Sequence, residues 1–261
     1  MRLRALAKIN LGLDILRKRE DGYHEVRMIM QTIQMYDVLE MKRVRKPGIS
    51  LSVNYSYIPN DERNLVYKAA KLLMDEFQVK GGVDIHLEKF IPVAAGMAGG
   101  SSDAAAALVG INRMFQLGLT KRQLMERGVQ IGADVPYCVM RGTALAEGIG
   151  EKLTSLPGVP MCYVLIGKPG INVSTKFVYE NLHADSLQYH PDIDGMVASI
   201  EKGDLCGITD RMGNVLETVT CKHYPVIEQM KGILKEHGAV NALMSGSGPT
   251  VFGIFTDDQN A

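Results

Sequence analysis

Pro92-Val93-Ala94-Ala95-Gly96-Met97-Ala98-Gly99-Gly100-Ser101-Ser102-Asp103 is the most informative stretch of this chain. Before it, Val83, Ile85 and Leu87 alternate with Asp84, His86 and Glu88, the pattern of a half-buried strand. After it, residues 104–115 form an alanine-rich apolar run that reads as a helix. A loop of small residues between strand and helix lets the backbone close around a ligand. The helix start offers unsatisfied N–H groups and a partial positive charge, which suit a phosphate group. Ser101 and Ser102 add hydroxyl donors. The stretch matches neither G-x-x-x-x-G-K-S/T nor G-x-G-x-x-G. A tight strand-to-helix turn with a serine cap is the competing reading.

Toward the amino terminus, Leu3, Ala5, Ala7, Ile9, Leu11 and Leu13 are apolar at every second position, so residues 3–13 read as a strand. Lys8 and Asn10 share its polar face, because side chains two apart in a strand point the same way. Without a lysine in the loop, Lys8 is the candidate to offset phosphate charge; the alternative is an exposed strand lysine. Asp21-Gly22 marks a turn, and residues 28–39 a second, untidy strand. Asn60 and Asp61 are caps for a helix running to about Phe77, and Thr120 for a helix over 120–130. Asp134, in Gly132-Ala133-Asp134-Val135-Pro136, is either a helix cap or a carboxylate placed to take a proton from a hydroxyl. Pro157-Gly158-Val159-Pro160 reads as a linker, followed by a buried-type strand over 161–166. A helix starting at Ser174 and another over 225–237 come next. Ser245-Gly246-Ser247-Gly248-Pro249-Thr250 lies between two apolar segments, as a tight hairpin or as a second backbone surface closing on a ligand. Interleaved strands and helices without regular βαβ repetition predict an α+β fold.

Composition narrows the classes. The chain has 261 residues, 46% hydrophobic and 22% charged, which is globular rather than disordered. Twenty-nine basic residues balance twenty-nine acidic ones, against a sequence-blind nucleic-acid binder. No apolar run is long enough for a membrane helix, and Lys8 and Asn10 interrupt any leader. Four widely spaced cysteines predict reduced, mostly buried thiols in a cytoplasmic protein, and the six histidines hold no zinc-type spacing.

Taken together, these segments resemble the galactokinase, homoserine, mevalonate and phosphomevalonate (GHMP) kinase superfamily. Its three motifs have counterparts in Ala7-Lys8-Ile9-Asn10-Leu11, in residues 92–103 and in residues 245–250. Within it, Gly22-Tyr23-His24-Glu25, Gly132-Ala133-Asp134-Val135-Pro136 and Ala146-Glu147-Gly148-Ile149-Gly150-Glu151 resemble the family that phosphorylates 4-diphosphocytidyl-2-C-methyl-D-erythritol. The resemblance implies an ATP- and Mg2+-dependent kinase of the non-mevalonate (methylerythritol phosphate) isoprenoid precursor pathway. It would act on the substrate's 2-hydroxyl, giving the 2-phosphate and ADP. It implies a ribosomal S5 domain 2-like amino-terminal domain, a ferredoxin-like carboxy-terminal domain and a site in the cleft between them; we place the domains at 1–155 and 156–261. Catalysis would fall to Lys8 and Asp134. Pro92, Val93, Ala94, Ala95, Gly96, Met97, Ala98, Gly99, Gly100, Ser101 and Ser102 would cradle ATP. Asn10, Tyr23, His24, Thr175 and Tyr179 would line the substrate pocket, with Tyr23 and Tyr179 on either side of the cytosine. Gly246, Ser247 and Gly248 belong to the third motif. The metal would arrive with the nucleotide rather than at a dedicated protein site. The expected assembly is a monomer or homodimer with a small-molecule substrate and no nucleic-acid or membrane partner. Two departures stand out. The loop carries alanines where the family often has glycine, and the second domain looks shortened after Phe255. A sister kinase acting on homoserine or mevalonate, and a non-catalytic nucleotide-binding protein, are the alternatives.

Overall fold

The structure, a computed structural model, describes residues 1–257. In chain order the strands are β1 (Arg2–Lys18), β2 (His24–Val44), β3 (Gly48–Val53), β4 (Gly82–Glu88), β5 (Thr143–Gly148), β6 (Lys152–Leu156), β7 (Tyr163–Gly167), β8 (Gly213–Asn214), β9 (Asn241–Met244) and β10 (Val251–Phe255). Helices α1 (Leu65–Glu76), α2 (Gly99–Met114), α3 (Lys121–Gly128) and α4 (Val135–Met140) precede β5. Helices α5 (Thr175–Glu180), α6 (Ile193–Lys202), α7 (Leu205–Asp210), α8 (Glu217–His223) and α9 (Val226–Glu236) follow β7. The chain divides into two compact units, neither of them one continuous stretch. One holds Met1–Ala7, Ile33–Val93 and Ala98–Arg141; the other holds Lys8–Thr32, Ala94–Met97 and the chain from Gly142 onward.

In the first unit β4 pairs antiparallel with β2 (Leu39↔Leu87, Met41↔Ile85) and parallel with β3 (Leu51↔Ile85). Leu39, Met41, Ile85 and Leu87 are buried, as the alternation in β4 requires. Helix α2 lies against Met41 and Leu3: a Cβ on Gly110 would come within 2.3 Å of Met41 Sδ and 2.8 Å of Leu3 Cδ1. That close approach explains a glycine in mid-helix, where it costs about 1 kcal/mol of propensity. Thr120 opens α3 with a capping box to Gln123. The cap of α1 is Asn64, not Asn60 or Asp61. Asn64 accepts from the Val66 N–H at 2.9 Å, while Asp61 pairs with Arg63 in the preceding turn. Helix α2 includes the two serines and the aspartate expected at its opening and begins two residues before them, so Gly99 to Asp103 form its opening turns. Strand β3, short and set off by Pro47-Gly48, was not anticipated.

In the second unit β1 and β2 form a hairpin. The Arg19 N–H donates to Tyr23 O at 2.7 Å, and Gly22 takes φ +85°. Strand β2 pairs with β5 (Met28↔Ala146), β5 with β6, and β1 takes β8 in parallel (Gly12↔Gly213). A separate antiparallel sheet runs β7-β10-β9 (Val251↔Gly167, Val251↔Met244), with α9 packed on it. The strand expected over 161–166 is an edge strand rather than a buried one. Tyr163 and Leu165 are exposed on its outer face, and Met161 lies outside it. Of the four cysteines only Cys138 is buried, while Cys206 is exposed, which corrects the expectation of mostly buried cysteines. Among the described residues no helix is long and apolar enough to cross a membrane. The extreme end, where the shortened second domain was inferred, includes residues outside the described ones.

Candidate active site

Gly96 is where the three motifs meet. Its carbonyl accepts from Lys8 Nζ at 3.0 Å and from Ser245 Oγ at 2.9 Å. It takes φ +70°, and a Cβ there would come 2.1 Å from Ser245 O, so only glycine fits. Lys8 is no exposed strand lysine. It is 5% exposed, its N–H donates to Met97 O at 3.2 Å, and its Nζ also donates to Asn10 Oδ1 at 2.6 Å. An ammonium has three N–H donors; two are used, and one is left for a ligand oxygen. Asn10 Nδ2 faces only Met28 Sδ, at 3.3 Å, a weak acceptor. Burial on both faces of β1 from Ala5 to Ile15 thus departs from the half-exposed strand that simple alternation implies.

The third motif is both a hairpin and a surface toward the loop. The Ser245 N–H donates to Thr250 O at 2.9 Å, with Gly246 and Gly248 at φ +58° and +84°. Asn214 Nδ2 holds the tip by donating to Met244 O and Gly246 O at 2.9 and 2.8 Å. Thr220 Oγ1 donates to Ser247 O. Ser245 and Asn214 were outside the expected set. Asn214 carries no motif signal, while Ser245 was quoted in the motif and passed over for its glycines.

At the start of α2, Ala98 sits in the N-cap position at φ +53° and has no side-chain acceptor. The N–H groups of the first turn therefore have no capping side chain and remain for a ligand. Ser102 is buried and its hydroxyl donates to Leu6 O at 2.6 Å, so that proton is already committed. Ser101 has no such commitment among the described residues. Asp134 occupies the N-cap position of α4 but has φ −84°, ψ −11° and makes no capping bond. Of the two readings of Asp134, the cap fails, and a half-buried carboxylate is left with open lone pairs.

Beneath α2 lies a buried charged cluster that the motifs did not mark. Lys89 Nζ donates to Asp37 Oδ2 and, at 2.7 Å, to Asp103 Oδ2. Asp37 Oδ1 accepts from the N–H groups of Phe90 and Ile91 at 2.5 and 2.8 Å. Asp103 Oδ1 is buried without a partner. Burial pushes the Asp103 carboxyl up to about 8, against the opposing pull of Lys89. No local signal was available: Asp37 lies within β2 and Lys89 directly after β4, far apart in sequence.

In the second unit His24, not Tyr23, lies against Tyr179, with ring centroids 5.3 Å apart and planes 51° apart. Burial, aided by Lys18, pulls the His24 imidazole below its ordinary value, and its Nε2 is buried and unpartnered. Tyr23 is 61% exposed. Thr175 Oγ1 and Ser247 Oγ share a hydrogen bond of 2.8 Å. Lys18, Glu180, Leu182, His183 and Asp185 line a cavity of about 400 Å³ in the same unit. Elsewhere possible ligand atoms of Glu217, Cys221 and Glu228 lie within 4.8 Å of one another. Lys231 Nζ donates to both carboxylates, and the Cys221 thiol is pushed up to about 12, chiefly by burial.

Comparison with known proteins identifies the family. The model of the GHMP kinases N terminal domain matches residues 64–142, and that of the GHMP kinases C terminal domain matches residues 196–261. A protein of Lachnospira eligens named 4-diphosphocytidyl-2-C-methyl-D-erythritol kinase is 58% identical over 260 residues, covering 100% of this chain and 90% of its own. A Lachnoclostridium phytofermentans protein of the same name is 59% identical, covering 99% and 89%. A crystal structure of 4-(cytidine 5'-diphospho)-2C-methyl-D-erythritol kinase superposes with a TM-score of 0.87 at 31% identity, covering 100% of this chain and 92% of that one. With matched domains, full-length relatives and a shared fold, the chain belongs to the 4-diphosphocytidyl-2-C-methyl-D-erythritol kinase family of GHMP kinases.

Proposed function

We propose that this chain transfers the γ-phosphoryl group of ATP to the 2-hydroxyl of 4-diphosphocytidyl-2-C-methyl-D-erythritol. The observation that carries the residue assignment is the meeting of Lys8, Gly96 and Ser245, from three distant segments, at one carbonyl. Phosphoryl transfer asks the protein mainly to position groups and offset charge. The uncapped first turn of α2 and the glycine-like backbone of residues 94–98 suit the nucleotide phosphates. Lys8, held by Asn10 and Gly96, keeps one N–H for the acceptor oxygen as its proton leaves. Asp134 takes that proton, its carboxylate being committed to no cap. Magnesium, if it enters with the nucleotide, would offset charge on the phosphates. Tyr23 stacks on the cytosine, and the unpartnered His24 Nε2 meets its polar edge, with Tyr179, Thr175 and Asn10 completing the pocket. We also place the boundary of the two sequence domains at 155/156; the matched segments 64–142 and 196–261 fall on either side of it.

The test is Asp134→Asn, assayed by single turnover and by nucleotide titration. Turnover should fall by about 10²–10⁴-fold, the usual worth of a general base, with ATP affinity unchanged. Turnover near the wild-type rate would remove Asp134 from the mechanism.

A further inference from the structure

We infer that Asp37, Lys89 and Asp103 act as a buried clamp that sets the nucleotide affinity of residues 92–102, with Asp103 as the positioning residue that couples the two ends of the loop. The inference rests on the phosphate-loop reading above. Its ground is a chain of bonds that begins before the loop and ends after it. Ahead of the loop, Asp37 Oδ1 accepts from the N–H groups of Phe90 and Ile91, and Asn54 holds the Lys89 backbone, accepting from its N–H at 2.9 Å and donating to its carbonyl at 3.2 Å. Beyond the loop, Asp103 lies near the start of α2 and accepts from Lys89 Nζ. Lys89 Nζ itself lies 3.2 Å from where a Cβ of Gly99 would stand, directly beside the first residue of the helix. Asp37, Lys89 and Asp103 are all at most 5% exposed, so no water competes for these bonds. The loop's two anchor points are therefore tied through a single ammonium, which limits how far the helix N–H groups can drift from the end of β4.

Economy of fold does not explain the cluster. A lysine with one aspartate is a complete ion pair. A second buried carboxyl with an unpartnered oxygen is an added cost. Charge also fits the role. One ammonium and one carboxylate leave the cluster neutral, whereas an ionised Asp103 would put a net negative charge beneath a phosphate site. Burial favours the neutral form.

The experiment compares D103A, D103N and S101D in the full-length protein, reading the KM for ATP, the KM for the acceptor, direct nucleotide affinity by equilibrium titration, and Tm. D103A leaves the Lys89–Asp37 pair intact and adds an alanine to an alanine-rich helix, so it folds. It should weaken ATP binding by about tenfold or more, with the acceptor KM changed by less than threefold and Tm unchanged or higher. D103N, which keeps the bond from Lys89, should restore wild-type nucleotide affinity. Unchanged ATP affinity in D103A would overturn the clamp, as would a loss of Tm with both KM values moving together. S101D tests the reading beneath it, because a carboxylate in the first turn of α2 repels phosphate. If S101D abolishes nucleotide binding while D103A spares it, the clamp alone falls. If S101D also spares it, the phosphate-loop reading falls.

Discussion

Asp103 shows how a buried carboxyl writes itself into pH dependence. Burial pushes its carboxyl from the ordinary 3.8 up to about 8. Between those values the folded state binds more protons at this group, so its contribution to stability is fully present below about 4 and is lost as pH rises toward 8. The slope has a ceiling of about 1.4 kcal/mol per pH unit. Asp103→Asn should flatten this decline, and urea unfolding of both proteins from pH 5 to 8 measures the difference. Parallel stability curves would mean that Asp103 is ionised throughout. Individual residues were unevenly legible. Lys8 and Asn10 could be placed on one face because strand alternation fixes their direction. Asp134 could not be resolved, since cap and base use the same residue type, and only its unmade capping bond separates them. Asp37 and Lys89 escaped notice because nothing local marks a charge whose partner lies about fifty residues away.

At the level of elements, the loop keeps a backbone made for glycine while carrying alanines. Ala94 and Ala98 sit at φ +51° and +53°, where a Cβ costs about 1–2 kcal/mol. Ala98→Gly should therefore raise stability by about 1 kcal/mol, less the entropy glycine adds to the unfolded chain. Chemical denaturation measures it, and a loss of more than 1 kcal/mol would contradict the strain. Strong periodicity made β1, β4, α1 and α9 readable from sequence, and the Thr120 cap made α3 so. The two glycines ahead of Ser101 were left out of α2 because glycine is a poor helix former, and here tertiary packing overrides propensity. Strand β7 was misjudged because an apolar run cannot tell a central strand from an edge strand; that depends on β10 alone pairing with it.

For the whole molecule, order along the chain misleads about order in space. The segments 8–32 and 94–97 belong to the same compact unit as everything after residue 142, a grouping no linker signal reveals. Long-range motif identity succeeded where composition could not, because three ordered motifs constrain one another more tightly than any one of them does. The central claim, acceptor identity, is tested most directly by ADP release with ATP and magnesium against a panel of 4-diphosphocytidyl-2-C-methyl-D-erythritol, homoserine, mevalonate and galactose. The account predicts release with the cytidyl compound alone. Release with another acceptor, or with none of the four, would contradict it.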